Sequence, residues 1–384
     1  MDDKTANNLP TQTPSVPDIE TPSSSSEPKV TESAKPPEHH NHKRFIIIMS
    51  LLFILLAGAT AAYWYFKMRH IEQPTNTQTT TQQTETKKVE GLQLDPHKNY
   101  GNKYANGILP VGDKKYTTDA AKKGNIYMCY ASFVAEGQAG AITRGPWFIS
   151  TTQYDINKKV AVQGKINWTP QYSMTIKDGK RVVVTNDLPN HYTGKFPVAA
   201  TDPAHSYDRN PNSISAQSLT YNLNSSPTYG TPQCMGGEVG IMNTGSAIFN
   251  GFDAGGRDAG AWEVQDSCDG HPQNKGEYHY HTLSRCITDV SVSKVIGFAL
   301  DGYPITGPKV GDNNLLTTED LDECHGIVSD VQLDGITVNT YHYVMTQDFP
   351  YSVSCFRSTA IQAPGLPETT GDVKAQNGTP PPHQ

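Results

Sequence analysis

Between residues 253 and 286 the sequence reads DAGGRDAGAWEVQDSCDGHPQNKGEYHYHTLSRC. Within it, Tyr278-His279-Tyr280-His281 alternates with period two. On a strand, successive side chains point to opposite faces, so both imidazoles share one side and both tyrosines the other. Two imidazoles spaced in this way can offer two ligands to one ion, and His271, just upstream after a glycine, can fold back as a third. Neutral imidazole suits zinc, copper, nickel or iron, with copper or zinc the expected ion. His205 in AHSYDRNPN, His325 in DECHG and His342 in TYHYV are further candidate ligands. The plainer reading is an amphipathic strand with packed tyrosines and wet histidines.

Three acids stand near enough in sequence to matter. Asp258 and Glu263 could act as acids beside the site, although surface charge is their ordinary role. Asp301 in LDGYP could be a ligand or a base, but an Asp-Gly turn is the commoner use. Cys268 and Cys286 bracket the histidine motif. As thiolates they could ligate a metal; outside the cytoplasm a disulfide tying the ends of the histidine hairpin is preferred. Cys324 and Cys355 are candidates for a second bridge, and Cys129 and Cys234 are the remaining cysteines. Six cysteines allow about 15 pairings, so spacing alone leaves the connectivity open.

The elements that must hold these residues read mostly as strands. IYMCYASFV (126–134), KVAVQGKI (159–166) and YSMTIKDGKRVVVT (172–185) are apolar and β-branched at short intervals, and Asp178-Gly179 marks a hairpin in the last. Long runs with a 3.6-residue period are absent. TTDAAKK (117–123) and TTEDLDE (317–323) are the fair helix candidates. One internal echo stands out: Gly240, Gly245 and Ile248 are spaced like Gly297, Gly302 and Ile305, with a weaker third copy around Leu333-Asp334-Gly335. Strand, tight turn at glycine and return strand is the physical reading. The fold expected is mainly β: an antiparallel, loop-rich, sandwich-like ectodomain behind one transmembrane helix and a disordered N-terminal tail.

The rest of the 384-residue chain sorts by composition. Residues 1–42 are rich in Pro, Ser, Thr and Glu and cannot bury enough apolar surface to order themselves. Phe45–Phe66 runs uncharged through FIIIMSLLFILLAGATAAYWYF, long enough to span a bilayer core of ~30 Å, with an aromatic belt at Tyr63–Tyr65. A cleaved signal peptide is the rival reading, but the long polar tail ahead of the run favours an uncleaved anchor. Residues 67–94 read as a Thr/Gln-rich stalk, 95–360 as one folded body and 361–384 as a flexible tail. Basic residues flank the apolar run on both sides, so charge does not orient it. All six cysteines lie on its C-terminal side, which fits a single-pass protein of the cell membrane whose C-terminal part is periplasmic or extracellular. A net charge of -7 argues against a nucleic-acid partner.

Seven motifs occur in order: YDRNPNSI, CDGHP, GEYHYH, IGFALDGYPITGP, LDECHG, YHYVMTQDFPY and SCFR. From about 190 to 358 the chain thereby resembles the YHYH-domain family of extracytoplasmic proteins. The resemblance implies a secreted or membrane-tethered domain and no particular activity. Three functions are weighed. A surface domain that captures or buffers a transition metal needs His279 and His281 plus one or two further histidines. A metal-dependent hydrolase or oxidoreductase needs, in addition, an open coordination position and a nearby acid or base. An adhesion module would use tyrosine-rich loops on a cell-surface protein or glycan.

Overall fold

A computed structural model of the chain describes residues 89–134 and 140–364. All of them fall in one compact unit, Glu85–Gln384. The tail (1–42), the membrane segment (45–66) and the stalk up to residue 88 lie outside the described residues, as do 365–384. Among the described residues no helix is long and apolar enough to cross a membrane.

The described chain is mainly β. In order it forms β1 (Ile108–Pro110), β2 (Tyr116–Thr117), β3 (Ile126–Tyr127), β4 (Gln153–Asp155), β5 (Tyr172–Lys177), β6 (Lys180–Thr185) and β7 (Leu219–Asn224). There follow β8 (Glu238–Met242), β9 (Ala247–Phe249), a single helical turn α1 (Ala259–Trp262), β10 (Gly270–Pro272) and β11 (Tyr278–Tyr280). The last four strands are β12 (Val295–Ala299), β13 (Pro304–Thr306), β14 (Gly326–Leu333) and β15 (Ile336–Val344).

The central feature is an eight-stranded sheet with the order β10-β11-β9-β8-β12-β13-β15-β14. It is built twice over. The echo seen in sequence is two hairpins, β8–β9 and β12–β13, joined back to back by antiparallel pairing of β8 with β12. On the outer side of each hairpin a strand adds in parallel, β11 to β9 and β15 to β13. Each is closed by an antiparallel edge strand, β10 or β14. Gly245 (φ 103°) and Gly302 (φ 92°) make the two hairpin turns in a backbone region that favours glycine. Gly240 and Gly297 face each other's strands at the junction: a Cβ would stand 2.4 Å from the Phe298 carbonyl oxygen at the first and 2.7 Å from that of Ile241 at the second.

The likeness extends to side chains that the spacing of the first echo did not reveal. Asp266-x-Cys268-x-Gly270 leads into β10, and Asp322-x-Cys324-x-Gly326 leads into β14. Each aspartate accepts from the amides of its own cysteine and glycine and from a buried tyrosine hydroxyl, Tyr278 in the first repeat and Tyr341 in the second. The next tyrosine along bonds to the facing hairpin turn, Tyr280 to Thr244 and Tyr343 to Asp301. One disulfide secures each repeat, Cys268–Cys286 and Cys324–Cys355. A third, Cys129–Cys234, ties the leading segment to the start of the first repeat.

A three-stranded antiparallel sheet, β5-β6-β7, packs onto the large one and supplies Val183, Tyr221 and Leu223 to the shared core. Arg181 reaches across, stacked 4.1 Å over the Phe298 ring and paired with Asp334 at 2.6 Å. The Asp178-Gly179 hairpin forms between β5 and β6 as the sequence implies, with both residues at positive φ. A smaller core around Trp147 and Trp262 lies beside the first repeat.

Several expectations need correction. The large sheet is mixed, because β11 and β15 enter it after long excursions and add in parallel. Residues 117–123 form no helix; Thr117 ends β2 and irregular chain follows, there being no apolar stripe to bury. Within 317–323 only Thr318–Asp320 turns, as a 3-10 helix held by a Thr317/Asp320 capping box. Residues 159–166 join no sheet and make single bridges at Val162 and Ile166. Of 126–134 only Ile126–Tyr127 is a strand. The packed body also begins before residue 95, since Leu92 and Leu94 exchange backbone bonds with Val328, and it runs past 360, where Ile361 and Ala363 pack on the core.

Candidate metal centre

β10 and β11 form the hairpin that carries the candidate ligands, with His271 directly opposite His279 in register. As period-two alternation requires, Tyr278 and Tyr280 go to the opposite face, edge to face with ring centroids 5.5 Å apart. His279 and His281 turn together, and their Nε2 atoms are 3.1 Å apart. His271, His279 and His281 are each at most 4% exposed, and their ligand atoms lie within 4.8 Å of one another.

Glu263 completes the group. It follows α1, which Asp258 caps by accepting from the Ala261 amide. Its Oε2 lies 3.3 Å from His281 Nε2 and 3.5 Å from His271 Nε2. Both Glu263 Oε2 and His271 Nε2 are buried without a hydrogen-bond partner. Buried polar atoms are normally satisfied, so two orphans facing one point call for an explanation.

The electrostatics sharpen it. Burial pushes the His271 and His279 imidazoles well below their usual range, and His281 down to about 4. Burial, with Asp253 and Asp208 nearby, pushes the Glu263 carboxyl well up. Without a metal these contacts are therefore neutral, not ion pairs. The outer nitrogens decide where the ring protons go. His281 Nδ1 is 2.6 Å from the Asn250 carbonyl oxygen, and His279 Nδ1 is 3.4 Å from that of Glu277. A carbonyl can only accept, so His281 Nδ1 carries the proton and its Nε2 presents a lone pair to the centre, where the His279 Nε2–H can donate to it. The Asn210 side-chain amide lies 3.4 Å from His271 Nδ1, and the Phe249 ring packs 4.3 Å from that of His279.

The histidines and Glu263 lie at the wall of a cavity of about 280 Å³, which is also lined by Met128, Tyr130, Phe133, Phe249, Asn212 and Asn274. The carboxylate and imidazoles thus meet at a place that a small molecule could reach.

The other candidates lie elsewhere. His205 sits half-buried on a 3-10 turn (Pro203–Ser206) and joins no ligand cluster. His342, on β15, is five strands away in the sheet, with both ring nitrogens satisfied by Thr306 (2.9 Å) and Ser329 (2.8 Å). His325 is buried at φ 70° and bonded to Thr346 through Nε2; its Nδ1 has no partner, but it joins no group of candidate ligands. Asp301 is the hairpin-turn residue that takes the Tyr343 hydroxyl at 2.7 Å, and Asp258 takes the Tyr351 hydroxyl at 2.6 Å; neither lines the cavity. Cys268 and Cys286 come within ligand distance of His191, but their sulfurs are bonded to each other.

Comparison with known families agrees with the motif reading. Residues 197–317 match the family model described as YHYH protein. The chain carries a YHYH domain. The match takes in the first repeat, the three clustered histidines with Glu263, and β12–β13; the YHYH-like motifs after 317 lie beyond it. No curated protein and no solved structure matches the chain. Sequence reasoning missed Asn210, although it stands in the quoted YDRNPNSI motif, and the backbone carbonyl of Asn250, which no side-chain pattern could have shown.

Proposed function

We propose that the YHYH domain binds one transition-metal ion through His271, His279 and His281, with Glu263 as a fourth ligand. The observation that carries this is the convergence of three buried imidazoles within 4.8 Å, with the orphaned His271 Nε2 and Glu263 Oε2 facing one another among them. Three imidazoles and a carboxylate suit zinc or copper(II). Capture or buffering of the ion at a cell surface is the role this supports. All six cysteines are paired, which favours an oxidising compartment. With 45–66 as a single-pass anchor, the domain would stand on the periplasmic or extracellular side.

A second reading, a metal-dependent hydrolase or oxidoreductase, draws on the cavity beside Glu263. In it the carboxylate acts as a base, not a ligand. The test is elemental analysis of the full chain produced in an oxidising compartment, followed by titration with Zn(II) and Cu(II). One equivalent of bound metal is expected, and none after His279→Ala with His281→Ala. Failure to take up either ion would end both readings. Tight binding by Glu263→Gln would remove the carboxylate from the ligand set and favour the second.

A further inference from the structure

The cavity at the metal centre has a lining with a definite chemical bias. Neither lysine nor arginine lines it. Its carboxylates are Glu263 and Asp253, the latter held by Arg257 at 2.6 Å. An anion would therefore gain little there beyond the ion itself. Tyr130, Phe133 and Phe249 present aromatic surface to the space, and Tyr130 is 39% exposed. Asn210 and Asn250 are committed to backbone groups, Pro272 and Gly236 respectively. The Asn212 and Asn274 side chains also line the cavity, and neither makes a hydrogen bond among the described residues. Each offers one acceptor oxygen and two donor hydrogens.

We infer that the cavity is a binding site for a neutral, hydroxyl-rich ligand of about one sugar residue. Its hydroxyls would bond Asn212 and Asn274, its apolar face would rest on the aromatic side chains, and one oxygen would reach the ion. Hydroxyl groups donate and accept as amides do, and aromatic faces cover the C–H side of a sugar ring. This rests on the metal reading of the preceding subsection and names what that site would hold. Copies of such a ligand could come as free monosaccharide or as the end of a glycan.

The test uses the full chain loaded with Co(II), whose visible absorption reports changes in coordination. The methyl glycosides of glucose, galactose, mannose and N-acetylglucosamine are titrated in turn, then the same sugars as terminal residues of tetrasaccharides. At least one sugar should bind and shift the spectrum. Asn212→Ala with Asn274→Ala should keep the metal and weaken that sugar roughly tenfold or more, the loss of two modest hydrogen bonds. A response only to tetrasaccharides would assign the glycan end as the source, and a response to methyl glycosides the free sugar. A metal-loaded protein that ignores every sugar, or whose affinity survives the double asparagine variant, overturns the inference and leaves the metal site standing. Failure to load cobalt or zinc at all would instead remove the site on which it rests.

Discussion

The two repeats of the large sheet share their backbone and differ in what fills it. Both have an Asp-x-Cys-x-Gly lead, a Tyr-His-Tyr strand, a tyrosine bonded to the aspartate and a disulfide. In the first repeat His279 faces His281 and lies opposite His271. In the second, the matching positions hold His342, Val344 and Ile327, with Ile327 opposite His342. There the His342 imidazole is closed off by Thr306 and Ser329, which take both of its ring nitrogens. The same framework therefore supports a cluster of three imidazoles and a carboxylate on one side and separate histidines on the other, His342 with both nitrogens bonded and His325 bonded through Nε2 alone. The tyrosines and aspartates hold the strands in both; what marks a site is the added histidines and Glu263, not the Tyr-His-Tyr pattern alone.

The largest expected effect separates the two histidines that look alike in sequence. His279→Ala with His281→Ala should abolish metal uptake, while His342→Ala should leave the stoichiometry unchanged and cost about 2–4 kcal/mol in urea unfolding, through a cavity and two stranded hydroxyls. Equal loss of metal in both would erase the distinction. Glu263→Gln should weaken metal affinity by about 10–100-fold, measured by competition with a chelator. Wild-type affinity there would place the carboxylate outside the ligand set.

Burial lowers the histidines of both repeats, and those of the second stand apart from the candidate ligands. Burial holds His342 down to about 4 and His325 to about 3. Their folded values lie below the unfolded value of about 6.5, so the stability they contribute is whole above that pH and is lost as pH falls towards 4 and then 3. Asp258, Asp266 and Asp301, raised to about 6 by burial, act in the opposite sense, since their burden is present above pH 6 and is relieved as they protonate. The comparison that isolates the histidine is His342→Gln against wild type: its excess acid sensitivity should shrink, measured by urea unfolding at pH 7 and 4.5. An unchanged pH profile would mean that His342 is not held neutral. The smallest effect tests the likeness itself. Tyr278→Phe and Tyr341→Phe each remove one buried bond to an aspartate and should cost a similar amount, about 1–2 kcal/mol.

Much of this was legible in the sequence, for physical reasons. Period two alone sets His279 and His281 on one face, and glycines at 240, 245, 297 and 302 announce two hairpins because no other residue fits those turns and that strand junction. What was not legible depends on partners remote in sequence. His325 and His342 have the residue type of ligands, and only their placement shows that both His342 nitrogens are taken by Thr306 and Ser329 and that His325 Nε2 is taken by Thr346, far from the clustered imidazoles. Glu263 looked like a surface charge until α1 turned it inward. The parallel strands escaped because nothing local distinguishes them from antiparallel ones.

The most direct measurement is an anomalous difference map from a crystal of the zinc-soaked protein, recorded on either side of the zinc edge. One peak is predicted at about 2.0–2.1 Å from the Nε2 atoms of His271, His279 and His281. No peak there, or a peak beside His342 in the second repeat, would contradict the assignment of the metal to the first.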